Sequence, residues 1–524
     1  MVTTLVTAAC VRSHRGIEGD AILVEDGVVL GVGSRDRLPG RAGHEHRYPG
    51  SIVVPGIRDA HFHPVAYTAA VGGLTLGSAR DIADVLDAVR VAAGELPPGA
   101  PVVGLRLDDE SLTERRLPTA AELDRAAPSR PVVLHRYCGH VAVANHAALA
   151  LGGITAATSD PIGGVIDRNA AGAPTGVLRE TAIDAVSAAL PPGASAVTPA
   201  GVARALRGLA ALGITSIGAM VRRGEGAWAS LGNETEILAA AGPDIPIKVR
   251  AYVIADTAEQ LLDAGTRLGA AGPRVRWQGL KRFGDGSFGG HTAAMHLPFA
   301  DRPTTGTLRL AASDEALAIA ALDAGKDVAI HAIGDLAVTR TVDLMETLRR
   351  LRPRDGRLRI EHVSVILPAD VARMASLGIL ASVQPPFMGS ETHWIEGRVG
   401  ADRLPMTYAF RTMADAGITL AGGSDCPVEK PDPWSGMALA RDRAGVYPSE
   451  ALSAEAAFVM YTAGGAAALG EPEPLAVGSP ADFVVVDRDP VTATPDLLRN
   501  TRVLATYVDG IPVDISGGEL PWPG

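Results

Sequence analysis

Apolar residues recur along this chain in one repeated unit: a helix-period segment, a glycine, then a short and nearly continuous apolar run. Thr198 suits an N-cap and Pro199 the first helical position, so a helix is predicted from there to Leu212. Gly213 follows, then a strand over 214–218. The unit returns three more times: Leu322-Asp-Ala-Gly325 leads into 328–331, Ala375-Ser-Leu-Gly378 into 379–384, and Ala414-Asp-Ala-Gly417 into 418–425. A glycine just past a helix end is the expected C′ residue, because it takes the left-handed backbone without strain. Further strands fit 247–253, 276–281 and 359–362. With 53–63 as the first, this makes eight strands, the later ones alternating with helices. That pattern predicts an α/β fold, a (β/α)8 barrel of TIM type. Unbroken apolar runs suit strands covered on both faces.

Outside the barrel the pattern changes. Residues 20–24 and 28–32 alternate as strands around Glu25-Asp26-Gly27, a hairpin signal. Strands are predicted again at 481–487 and 503–508, with a turn at Asp509-Gly510. The two β-rich ends, 1–52 and 465–524, are expected to pair into one small β-sandwich beside a barrel of 53–464. The closing 521–524 reads as a loose tail. Between about 65 and 197 the rhythm is lost. A helix fits 81–93 and strands fit 102–106 and 131–135, while 163–167 and 172–176 read as turns of an irregular excursion. This is a large insertion after strand 1, expected to cover or line a pocket.

Composition narrows the classes. The chain has 524 residues, 47% hydrophobic and 20% charged, which fits a globular protein of one large domain with appendages. A net charge of −11 argues against nucleic acid or an anionic membrane as partner, and no apolar run reaches the length of a span. A small-molecule substrate is expected, with a homodimer left open. Three distant cysteines, Cys10, Cys138 and Cys426, allow no disulfide framework, and the N-terminus lacks signal-peptide features, so a cytoplasmic home is expected. Only four lysines stand among 48 basic residues, so a lysine at a strand end, such as Lys281, draws attention.

The candidate chemistry begins at Asp59-Ala-His61-Phe-His63. Alternation along a strand turns His61 and His63 to one face, about 7 Å apart along the chain. Other predicted strands end in Lys281, His331, His362 and Asp425. In a (β/α)8 barrel the chemistry sits at the C-terminal strand ends, so these six converge on one mouth. Imidazole nitrogens with a carboxylate oxygen form a zinc-type ligand set. His14, His44, His46, His146, His296 and His393 fall outside the pattern.

Together these segments resemble the amidohydrolase superfamily, and within it the amidohydrolase 3 group, similar to N-substituted formamide deformylase and its relatives. The resemblance is carried by Pro55-Gly-Ile-Arg-Asp-Ala-His-Phe-His63, Leu280-Lys-Arg-Phe-Gly-Asp-Gly-Ser287, Ile330-His-Ala-Ile-Gly-Asp335, Arg359-Ile-Glu-His362, Ser382-Val-Gln384 and Gly423-Ser-Asp-Cys-Pro-Val428. It implies that His61 and His63 bind a more buried metal shared with Asp425, and His331 and His362 a more exposed one. Lys281 would be carboxylated by CO2 to a bridging carbamate, with a salt bridge or a contact to a substrate carboxylate as the other readings. One or two Zn2+ ions are implied, with another divalent metal also open. Asp425 would be the catalytic residue, taking a proton from water and passing it to the leaving amine. Asp59, Glu361 and Asp335 are candidates to orient the histidines, Asp335 equally as a helix cap. His140, Ser287, Gln384 and Trp394 are candidate substrate contacts. The implied activity is hydrolysis of a C–N amide bond of N-formyl or N-acyl amine type. A cyclic amide or ester hydrolase, a deaminase, and a non-catalytic metal-binding descendant are the alternatives. Arg58 in a normally apolar slot, His291 and Cys426 depart from the usual pattern.

Overall fold

The structure, a computed structural model, describes residues 3–38, 43–161, 163–191, 197–224, 233–353 and 355–516. The expected tail at 521–524 lies outside them. Eight parallel strands follow one another around a barrel: β1 (Ile57–Phe62), β2 (Ile214–Arg222), β3 (Lys248–Ile254), β4 (Val275–Phe283), β5 (Asp327–Ala332), β6 (Leu358–His362), β7 (Leu380–Val383) and β8 (Leu420–Gly422). Each pairs with the next in sequence order. The seam between β8 and β1 closes just past the end of β8. Asp425 N–H donates to His61 O and His63 N–H to Cys426 O, both at 2.8 Å. The barrel is therefore closed by the backbone of three residues predicted to carry the chemistry.

The apolar run that begins at Val53 spans two elements. Residues up to Pro55 belong to a strand, His44–Pro55, of the terminal sheet, and β1 starts at Ile57. Gly56 makes the crossing possible, because a Cβ there would stand 2.2 Å from Thr215 Oγ1. In sequence the break is hidden, since both sides of it are apolar and buried. The helix Pro199–Leu209 opens as predicted, with Thr198 Oγ1 accepting from Gly201 N–H at 3.0 Å. Gly213, Gly325, Gly378 and Gly417 all have positive φ, as the repeated helix–glycine–strand unit requires.

Strands from both ends of the chain form one seven-stranded sheet, with His44–Pro55 between Thr3–Ser13 and Phe483–Val486. Alternation along these strands splits their side chains. Val54, Val484 and Val486 pack into the barrel's core, while Val53, Phe483 and Val485 join Val6, Val24 and Tyr507 in a second core, that of the small sandwich. The insertion has more order than its sequence suggests. It builds a six-stranded sheet, flanked by a helix Ile82–Glu95 capped by Asp81. Residues 163–167 and 172–176 are not mainly turns: Gly164–Arg168 and Pro174–Glu180 pair antiparallel. Their glycines and proline mask two short, half-exposed strands.

Arg58, the departure in β1, is buried at the other end of the barrel. Its Nε lies 3.1 Å from Glu471 Oε2, while Oε1 of the same carboxylate accepts from Arg250 Nε at 2.9 Å and Ser216 Oγ at 2.6 Å. Burial alone would raise the Glu471 carboxyl; the two guanidinium groups outweigh it and hold it at about 2. Among the described residues no helix is long and apolar enough to cross a membrane.

Candidate metal centre

His61 and His63 leave β1 on one face, as alternation requires, with ring centroids 5.4 Å apart. Their Nε2 atoms lie 3.3 and 3.1 Å from Asp425 Oδ1. The ligand-capable atoms of these three residues all fall within 4.8 Å of one another. Asp425 reaches this position with φ of +56°. A non-glycine residue held there costs roughly 1–3 kcal/mol, a strain that collects at functional sites. Asp59 braces the turn from beneath. It accepts from Ser424 N–H at 3.0 Å, Ser424 Oγ at 2.6 Å and His61 N–H at 3.2 Å. It therefore steadies the backbone of His61 and of Ser424, the neighbour of Asp425, rather than any ligand's side chain, and burial pushes its carboxyl up to about 7.

The remaining candidates join the same mouth. The His362 ring stands 4.9 Å from that of His61 and 4.5 Å from that of His331. Each of these rings has one nitrogen committed to an acceptor. His61 Nδ1 lies 2.6 Å from Glu361 Oε2, His362 Nδ1 lies 2.7 Å from Gln384 Oε1, and His331 Nε2 lies 2.8 Å from Gly286 O. That leaves Nε2, Nε2 and Nδ1 respectively as free donors of a lone pair. Fixing one nitrogen is how proteins set the tautomer and aim of a metal-binding imidazole. Burial depresses His61, His331 and His362, which favours the neutral, ligating form. Lys281, 1% exposed, borders the same cavity, and burial pushes its amine down to about 8. Among the described residues no carboxylate forms an ion pair with it. Neutral imidazoles, a carboxylate and a buried amine are donors that suit a borderline dication such as zinc, so the residues fit a metal.

Two cavities meet at this cluster and share Cys138, His140, His331, His362 and Asp425. The larger, about 110 Å³, is bordered by His135, Arg222, Glu234 and Arg309 among others. The smaller, about 20 Å³, has aromatic walls of Tyr137, Phe288, Phe387 and Tyr408, with Glu391 between them. The insertion thus lines the pocket, through His135, Cys138, His140 and Glu180.

The four candidate substrate contacts divide. His140 faces both cavities, with Nδ1 2.9 Å from Glu180 Oε2. Ser287 borders the smaller one, its Oγ accepting from Gly290 N–H at 3.1 Å. Gln384 is engaged by His362. Trp394 is buried under the Arg398 guanidinium, 4.9 Å above its ring, and borders neither cavity. From the same loop it is Phe387 and Glu391 that reach the site. Asp335 acts at its helix start, its Oδ1 accepting from His296 N–H and Leu336 N–H at 2.9 Å. His291 turns away to Asp301.

Sequence reasoning passed over three residues here. Asp285 accepts from Ala294, Ile333 and Gly334 N–H, and lies 3.3 Å from His331 Nε2. Its only signal was its place in the Gly284-Asp-Gly286 turn just after Lys281. His135 is 2% exposed, its Nε2 has no hydrogen-bond partner, and burial drives it down to about 4. Glu180, which supports His140, had no signal at all.

The amidohydrolase family profile matches residues 49–514. The chain belongs to the amidohydrolase family. YtcJ of Bacillus subtilis (strain 168) is 32% identical over 519 residues, covering 95% of this chain and 96% of that one. The N-substituted formamide deformylase of Arthrobacter pascens is 30% identical over 520 residues, covering 94% of each chain. Among solved structures, an uncharacterized metal-dependent hydrolase from Pyrococcus horikoshii OT3 is 26% identical, with a TM-score of 0.73 over 94% of this chain and 99% of that one. With its His61–His63–Asp425 cluster, the protein is a metal-dependent hydrolase of this family.

Proposed function

We propose that the protein is a zinc-dependent hydrolase of an amide C–N bond in an N-formyl or N-acyl amine. The observation that carries this reading is the convergence of His61 Nε2, His63 Nε2 and Asp425 Oδ1, with the His61 ring aimed by Glu361. The likeness to a relative named as an N-substituted formamide deformylase supports the bond type. His331 and His362 would hold a second ion. Lys281 would join the two after CO2 adds to its amine, forming an N–C bond and releasing one proton. Its burial, with no carboxylate in ion-pair contact among the described residues, supports that over a salt bridge.

Bound there, zinc supplies Lewis acidity and a water acidified toward a pKa of about 7. This chain's own residues do the rest. Asp425, within reach of both β1 imidazoles, takes the proton from the attacking water and returns it to the departing nitrogen. His140 borders both cavities and contacts the substrate from the insertion side. A panel of N-formyl amines, N-acyl amines, cyclic amides, esters and aminated heterocycles, assayed with zinc and bicarbonate, tests the reading. Turnover of the first two classes is expected. Turnover confined to cyclic amides, esters or deamination would replace it, and no turnover of any class would favour a non-catalytic descendant.

A further inference from the structure

One contact between the insertion and the barrel's reactive end is used by none of the roles above. Arg106, at the end of insertion strand Val102–Leu107, crosses to the loop that follows β8. Its Nη1 donates to Pro427 O at 2.6 Å and to Val428 O at 2.8 Å. Those carbonyls belong to the turn that carries Asp425, since Val428 N–H donates back to Asp425 O at 2.9 Å. The turn is short, is buried from Ser424 to Val428, and has Asp425 in the left-handed region. Arg106 itself has φ of +64°. Two non-glycine residues in that region cost free energy that surrounding contacts must offset, and here one of them binds the turn made by the other.

Opposite Arg106, Asp59 holds the same segment through Ser424 N–H and Oγ. The Asp425 turn is thus clamped from two sides: from within the barrel by Asp59, and from the insertion by Arg106. Two charge-assisted hydrogen bonds from one guanidinium, each stronger than a neutral one, fix where those carbonyls point. Val428 also walls the smaller cavity, so displacing the turn would alter both the carboxylate and the pocket.

We propose that Arg106 is a positioning residue for Asp425: the insertion, through this one guanidinium, fixes the turn that aims the carboxylate. The proposal rests on the role given to Asp425 above. It is tested on the full-length, zinc-loaded protein by two readouts, kcat and KM for amide hydrolysis, and hydrogen exchange at the backbone amides of Asp425, Cys426 and Val428. A misplacement of about 1 Å costs on the order of 10²-fold in rate, so Arg106→Met is expected to lower kcat by about that factor with KM nearly unchanged. Exchange at the turn should speed up at least tenfold, while zinc content stays at the wild-type level. Arg106→Lys, which keeps a donating cation, should recover much of both. Should Arg106→Met not fold, the lysine variant decides: a loss of kcat in step with faster exchange at the turn supports the proposal. A loss of kcat with wild-type exchange overturns it. So do kcat and exchange within twofold of wild type in Arg106→Met. If wild type hydrolyses no amide, the proposed function fails, and the exchange readout still judges the clamp.

Discussion

Glu361 Oε2 lies 2.6 Å from His61 Nδ1, joining β6 to β1 across the barrel. Arg359 pairs with the same carboxylate and donates to Ala60 O at 2.8 Å, so the neighbour of His61 is held by the same network. Both Arg359 and Glu361 are fully buried. Replacing a group that orients a metal-binding histidine typically costs about 10–100-fold in metal affinity. Glu361→Gln is therefore expected to weaken zinc binding by that factor, measured by competition with a chromogenic chelator. Wild-type affinity in the variant would remove Glu361 from the site.

Glu471 makes stability at acid pH depend on one carboxylate. Its pKa, 4.5 in water, is about 2 in the fold. A carboxyl lowered in this way contributes stability above pH 4.5 that is lost as the pH falls toward 2, on the order of 3 kcal/mol. Glu471→Gln is expected to lower the melting temperature at pH 7, and the gap from wild type should narrow below pH 4.5. A gap that stays constant with pH would show that Arg58 and Arg250 do not depend on this charge.

The loop after β7 separates a pocket residue from a packing residue. Phe387 lies parallel to the His362 ring, centroids 6.1 Å apart and planes 9° apart, and walls the smaller cavity. Phe387→Ala is expected to change the relative kcat/KM for short and bulky substrates. Trp394→Ala should cost about 3–5 kcal/mol of stability with little change in that ratio. Steady-state kinetics on a graded substrate series, with thermal melts, checks both. A shift in preference from the Trp394 variant alone would reverse the assignment.

What the sequence disclosed follows from how local each signal is. His61 and His63 were legible because strand alternation alone fixes their shared face, and Glu361 because it adjoins His362. The barrel was legible because four helices lead through a glycine into a largely apolar strand. Gly56 was not, since the chain passes between two sheets without a change in polarity. Glu180, Asp285 and Arg106 were not, because a carboxylate or guanidinium gives no sign of which turn or ring it will meet across the fold. Arg58 looked anomalous only because its partner, Glu471, stands 413 residues away.

The most direct test is to strip the purified protein with a chelator and follow metal content and amide hydrolysis together as zinc is returned with bicarbonate. Hydrolysis should vanish with the metal and return in proportion to zinc bound. Asp425→Asn should bind zinc yet remain inactive. Undiminished hydrolysis by protein that elemental analysis finds free of metal would contradict the account.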